Sequence, residues 1–176
     1  KRVENLDRYT SKEFARLEWE KMWCKTWHCA GRVEDVRSTG DWFRYDVGPE
    51  SLIVTRGRDG INAFYNVCQH RGRQLVDADF GTSKRFVCPF HSWTYTPDGK
   101  NVNVTDKQLF SKEALCGNLD LKPVRCETWA GMIFVNFDPD AQPLLDFLGP
   151  VTDAMAAYAM EDMHVVHDVT VPIAAN

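Results

Sequence analysis

Asn66-Val67-Cys68-Gln69-His70-Arg71-Gly72 and Val87-Cys88-Pro89-Phe90-His91-Ser92-Trp93-Thr94-Tyr95 are the two stretches around which the rest of the chain is read. They set out Cys-x-His and Cys-x2-His, with seventeen residues between His70 and Cys88. Each half follows a short run with strand character, so both fall on loops at one end of a sheet. Each loop then offers one thiolate and one imidazole. A two-iron cluster with two Cys on one iron and two His on the other needs this donor set. The softer thiolates suit the inner iron and the imidazoles the outer one. Structural zinc also accepts two Cys and two His, but zinc modules usually group cysteines in one pair and histidines in another. The mixed pairs favour iron–sulfur and make Cys68, His70, Cys88 and His91 the candidate cofactor and metal ligands. Two ferric ions and two sulfides carry two positive charges, which two thiolates cancel. Such a neutral cluster takes up an electron more readily than a four-Cys one, at about −150 to +300 mV. The implied chemistry is one-electron transfer.

Outward from these loops the sequence has the period of strands. Residues 42–47 and 51–56 are rich in aromatic and β-branched side chains and are separated by Gly48-Pro49. Asp59-Gly60, between residues 52–56 and 61–66, is a strong hairpin signal. Residues 85–87 and 93–95 read as further strands, Pro97-Asp98-Gly99 as a turn, and residues 121–127 with 131–137 as a second hairpin. Short strands with turns at regular spacing predict a mainly β fold, a small antiparallel sandwich or barrel. Upstream, Thr10-Ser11-Lys12-Glu13 has the form of a capping box with Thr10 as the cap. Apolar residues then recur at helical intervals, which predicts a helix over 11–24 with a Glu18–Lys21 pair on its surface. After Asp140, residues 143–148 and 151–160 read as short helices broken at Gly149-Pro150, and residues 164–171 alternate as a strand.

Composition sets the limits. The 176 residues suit one ordinary domain with an extension, and 44% hydrophobic with 12% aromatic content predicts a packed core. A net charge of −4 argues against nucleic acid, whose partners are normally basic. No apolar run approaches the roughly 20 residues that cross a bilayer. Residues 1–7 lack the apolar core of a secretion signal. A cytoplasmic protein with no membrane partner is expected, its N-terminus trimmed or left out because no initiator Met is present. Cys24, Cys29, Cys116 and Cys126 have no such histidine pattern and read as buried thiols.

At the two loops the chain resembles a known family, the Rieske domain of ring-hydroxylating oxygenase α subunits. The resemblance also takes in Trp27-His28-Cys29-Ala30-Gly31-Arg32, Gly40-Asp41-Trp42-Phe43, the Pro97-Asp98-Gly99 turn and residues 131–141. It implies a Rieske-type antiparallel β-sandwich with an inserted cluster-binding subdomain at about 66–100, an N-terminal helix and short C-terminal helices. The implied domains are an N-terminal helical arm at 1–37, the Rieske domain at 38–140, and a linker with the start of a catalytic domain at 141–176. The implied cofactor is a 2Fe–2S cluster that takes single electrons from a ferredoxin or reductase. It passes them to a mononuclear non-haem Fe(II), usually in the neighbouring α subunit of a homotrimer, for O2-dependent hydroxylation. An aromatic substrate, and so aromatic hydrocarbon catabolism by a dioxygenase, is the family prior. A stand-alone Rieske ferredoxin is the competing reading, but such carriers resemble only about residues 40–137, whereas here both flanks match the oxygenase.

Two departures sharpen the resemblance. Rieske proteins of the cytochrome bc type add a Cys to each loop and bridge them, where this chain has Arg71-Gly72 and Phe90. They also place a Ser two residues after the second His ligand, where this chain has Trp93. Hydrogen bonds to cluster sulfurs stabilise the reduced state, so a potential near the low end of the range is expected. The family's catalytic iron sits on a carboxylate and two histidines, downstream of a stretch that would begin about where the chain reaches Asn176. No catalytic residue is therefore assigned within it. Asp162, His164, His167 and Asp168 are poor substitutes, because a strand would put His164 and His167 on opposite faces. Arg71, Gly72, Trp93 and Tyr95 are the residues expected to touch the ligands from behind. Arg71, Arg73, Lys84 and Arg85 read as a solvated rim or as a dock for an acidic ferredoxin. The exposed edges of His70 and His91 are the expected exit for the electron.

Overall fold

The computed structural model describes residues 6–174; residues 1–5 and 175–176 lie outside the described residues, and with them most of the stretch read for a secretion signal and the ends of the two flanking segments. The strands are β1 (His28–Arg32), β2 (Asp41–Val47), β3 (Glu50–Arg56), β4 (Ile61–Tyr65), β5 (Phe80–Thr82), β6 (Phe86–Val87), β7 (Thr94–Tyr95), β8 (Asn101–Asn103), β9 (Pro123–Trp129) and β10 (Met132–Asn136). Seven form one antiparallel sheet in the order β1-β10-β9-β4-β3-β2-β5, and β6-β7-β8 form a second. The helices are α1 (Lys12–Lys21), α2 (Leu144–Leu148) and α3 (Val151–Met155). Among the described residues no helix is long and apolar enough to cross a membrane.

The sequence pattern of β3 explains how the layers meet. Leu52, Ile53 and Val54 are all fully buried, as expected for a strand covered on both faces. Leu52 and Val54 join Val36, Ala63, Val124, Ile133 and Val135 in one core. Ile53 points the other way, into a second core with Trp42, Phe64, Leu75, Phe86, Tyr95, Leu121 and both Cys68 and Cys88. The two candidate thiols are thus built into the packing between the large sheet and the small one. Between β4 and β9 the chain leaves the large sheet, returns once as β5 beside β2, and makes the three short strands of the small sheet. The Pro97-Asp98-Gly99 turn anchors that excursion. Asp98 Oδ1 accepts the Arg58 amide at 2.8 Å, and Gly99, at φ +77°, lies so near the Phe64 ring that a Cβ would overlap it.

Several expectations are corrected. The cap of α1 is Ser11, whose hydroxyl accepts the Phe14 amide at 3.2 Å, and not Thr10. The helix ends at Lys21 and passes into a 3-10 turn at Trp23–Lys25, and its ion pair is Arg16–Glu20 at 2.7 Å, not Glu18–Lys21. The second C-terminal helix stops at Met155, followed by a separate 3-10 turn, Ala156–Tyr158. Residues 164–171 form no strand. Their alternation is real, but no described strand lies alongside to receive their backbone hydrogen bonds. Cys29 and Cys116 are exposed, and Cys24 and Cys126 only half-buried, so none of the four is the fully buried thiol expected.

Candidate metal centre

The two loops are built alike. In the first, Cys68 N–H donates to Arg73 O at 2.8 Å and Gly72 N–H to Cys68 O at 2.9 Å. In the second, Cys88 N–H donates to Trp93 O at 2.8 Å and Ser92 N–H to Cys88 O at 2.9 Å. Each loop closes through a left-handed residue four places after its Cys, Gly72 at φ +72° and Ser92 at φ +57°. A glycine meets that requirement without strain and a serine does not. Within this common frame the histidine falls at the second position after Cys68 and the third after Cys88. That offset accounts for the unequal spacing of the two motifs.

The loops bring the four candidate ligands together. Cys68 and Cys88 are 1% and 2% exposed and lie in the same core, near enough for each to bear on the other's charge. The His70 and His91 rings are half-buried, with centroids 4.7 Å apart. The Nδ1 atoms of both rings are buried and have no hydrogen-bond partner. A buried imidazole nitrogen without a partner is costly in a folded protein unless something else engages it. Two such nitrogens beside two buried thiols fit the donor set of a cluster with two Cys on one iron and two His on the other. Among the described residues no three His, Cys, Asp or Glu side chains are gathered to hold one metal ion. The donors form a thiol pair and an imidazole pair instead.

Surrounding residues set the electrostatics. Tyr95, fully buried, accepts the Gln69 amide at 3.1 Å, and its hydroxyl lies 3.4 Å from Cys68 Sγ, to which it donates once that sulfur is a thiolate. Burial pushes the Tyr95 phenol well above its ordinary range, so it stays a donor. Burial also raises the Cys68 thiol, partly opposed by the Tyr95 hydrogen bond. Burial, then the neighbouring His91, then Arg71 lower the proton affinity of His70. Trp93 stacks on His70 at 4.8 Å and 11° between planes. Of the four residues expected behind the ligands, Tyr95 and Trp93 touch them directly and Gly72 closes a loop, whereas Arg71 is exposed and acts on His70 through its charge.

Two residues at the site were not expected. Asn66, 1% exposed, accepts both Leu75 and Val76 amides at 3.0 Å through Oδ1 and donates to Val76 O at 2.7 Å, pinning the base of the first loop. Its position at a strand end, where an Asn can bond nearby backbone, was the available signal. Phe110 meets His70 edge-on at 5.5 Å and, with Trp93 and Asp106, borders a cavity of about 310 Å3 beside the imidazoles. Nothing in its local sequence marks it. Of the alternative metal residues, His164 is paired with Glu34, remote in sequence from the loops.

Comparison with known proteins agrees with this geometry. Residues 26–113 match the family model described as Rieske [2Fe-2S] domain. The chain is 37% identical over 146 residues to the large oxygenase component of a 2,4-dinitrotoluene dioxygenase system from Burkholderia sp. (strain RASC), covering 81% of this chain and 32% of that protein. It is 30% identical over 174 residues to the glycine betaine monooxygenase oxygenase subunit of Pseudomonas aeruginosa (strain UCBPP-PA14), covering 96% of this chain and 39% of that protein. The apo form of the quaternary ammonium Rieske monooxygenase CntA superposes with a TM-score of 0.82 at 28% identity, over 92% of this chain and 48% of that one. The chain spans 32% of the first of these curated relatives and 39% of the second. Rieske domains bind a 2Fe–2S cluster, and the relatives are oxygenase components. The chain belongs to the Rieske [2Fe-2S] domain family.

Proposed function

We propose that Cys68 and Cys88 hold the inner iron of the cluster, and His70 and His91, through Nδ1, the outer iron. The observation that carries this reading is the pair of buried, unpartnered imidazole nitrogens beside two buried thiols. When bound, the cluster supplies one-electron transfer at a potential raised by its two imidazoles. The chain's own residues do the rest. Leu75, Phe86 and Trp93 keep water from the thiolate side, and Tyr95 orients Cys68. Loading releases the thiol protons of Cys68 and Cys88.

In the whole protein, single electrons from a ferredoxin or reductase pass through His70 or His91 to a mononuclear iron. That iron lies in a neighbouring α subunit of a homotrimer, and O2-dependent hydroxylation follows there. The division into an arm at 1–37, a Rieske domain at 38–140 with its cluster subdomain near 66–100, and a segment at 141–176 leading to the catalytic domain belongs to the same reading, as does a cytoplasmic location. An aromatic substrate remains the first reading. A quaternary ammonium substrate is the second, favoured by one observation: the glycine betaine relative aligns over 96% of the chain and the dinitrotoluene relative over 81%.

Reconstitution with iron and sulfide tests the centre. A red-brown protein is expected, with two irons and two sulfides per chain and a paramagnetic signal that appears only on one-electron reduction. Substituting His91→Ala removes one of that signal's two nitrogen couplings and leaves that of His70. A colourless protein that takes up zinc and no sulfide overturns the reading. Supplying the whole protein with electrons, O2 and either an arene or a betaine, and identifying the hydroxylated product, decides between the substrates.

A further inference from the structure

Residues 160–165 contain one 3-10 turn, Met160–Asp162, and side chains that are almost all exposed. Apolar burial does not hold them; polar contacts do. Arg32, the last residue of β1, donates from Nη2 to Met163 O at 2.6 Å and Met160 O at 3.1 Å. Its Nε is buried, 3.6 Å from Glu34 Oε1, and has no hydrogen-bond partner. Glu34, in the 3-10 turn after β1, meets His164 Nδ1 through Oε2 at 2.6 Å and accepts the Val165 amide. Gly131, at φ +75°, lies so near the Glu161 backbone that a Cβ would overlap it.

We propose that Arg32 and Glu34 form a clasp that holds residues 160–165 against the C-terminal end of β1 and loosens when His164 loses its proton. With His164 charged, the contact joins opposite charges; with His164 neutral, an ordinary hydrogen bond remains. The charged groups around it are Glu34 and Arg32 at the end of β1, Arg37 beyond the 3-10 turn, Arg56 at the end of β3, and Glu161 on its own segment, which together border a cavity of about 580 Å3. The His164 hydrogen bond, first among several causes, holds the Glu34 carboxyl below the usual glutamate range. A lowered carboxyl value means that the contact is fully present above the ordinary glutamate value and is lost as pH falls through the lowered one. On the alkaline side loss of the imidazole proton leaves only the weaker, uncharged hydrogen bond. The clasp is therefore tightest at mildly acid pH and looser at pH 8. Residues 166–174 are exposed and carry no regular structure, so the direction in which they leave the fold is set here.

The test is amide hydrogen exchange on the full chain, read at Asp162, Met163 and Val165, whose amides bond to Ala159, Met160 and Glu34. Protection factors divide out the intrinsic pH dependence of exchange. Protection at these amides is expected to fall about two- to fivefold between pH 6 and pH 8, the scale of an exposed ion pair. Glu34→Gln and His164→Gln flatten that dependence, and Arg32→Gln lowers protection at both pH values, while the β3 amides stay unchanged. His164 is exposed, so its variant folds whatever becomes of the Arg32 variant. Equal protection at the two pH values in the unsubstituted chain overturns the proposal, as does a pH dependence that survives His164→Gln.

Discussion

Tyr95 shows how much one buried hydroxyl can decide. Its oxygen accepts the Gln69 amide, and a thiolate at Cys68, having no proton of its own, can only accept from the hydroxyl. A thiolate on a reduced cluster carries more negative charge than on an oxidised one and accepts that hydrogen bond more strongly. The hydroxyl therefore favours the reduced state, and Tyr95→Phe lowers the midpoint potential. For one electron each tenfold change in equilibrium corresponds to about 59 mV, so a drop of some tens of millivolts is expected. Trp93, standing where the bc-type proteins have Ser, favours a low potential. Tyr95 works against that trend, and the midpoint of the unsubstituted chain should lie above that of the Phe variant. A redox titration followed by visible absorption measures both, and equal midpoints would show that the hydroxyl does not donate to sulfur.

Among the elements, the first loop depends on Asn66 more than on anything within the loop itself. One side chain satisfies the amides of Leu75 and Val76 and the carbonyl of Val76, and also donates to Ser51 Oγ at 3.2 Å. In Asn66→Ala these buried groups lose their partners at about 1–3 kcal/mol each, so a loss of several kcal/mol is expected, with poorer cluster retention. Denaturant unfolding and iron content check it; Asn66→Ala with unchanged stability would remove Asn66 from the account. The candidate ligands were legible because Cys-x-His and Cys-x2-His are local patterns. Asn66 was not, since its partners lie nine and ten residues away across a loop. The same limit explains the strands. β2, β3, β4 and β10 announce themselves by β-branched and aromatic residues, whereas β1 is His-Cys-Ala-Gly-Arg with a register shift between Cys29 and Gly31. β1 is a strand because β10 offers it a ladder, and residues 164–171 are not because no described strand does.

For the molecule as a whole, the distribution of charge matters more than its sum. The chain carries a net charge of −4, yet Arg71, Arg73, Lys84 and Arg85 are all exposed around the ligand loops. Phe90 and Val87, 59% and 50% exposed, stand among them. Exposed cations and exposed apolar side chains close in sequence to the candidate ligands, on an otherwise acidic protein, would orient an acidic electron donor before contact. Electrostatic steering raises association rates in a salt-dependent way. Screening shortens its reach from about 10 Å at 0.1 M salt to about 3 Å at 1 M. The double substitution Arg73→Glu with Lys84→Glu leaves the ligands and the residues touching them in place. It should slow second-order reduction by an acidic ferredoxin about tenfold at low salt, with the difference vanishing near 1 M. Stopped-flow reduction across a salt series measures this. A rate that stays flat with salt in the unsubstituted protein would assign the four cations to a solvated rim and leave the donor to dock elsewhere.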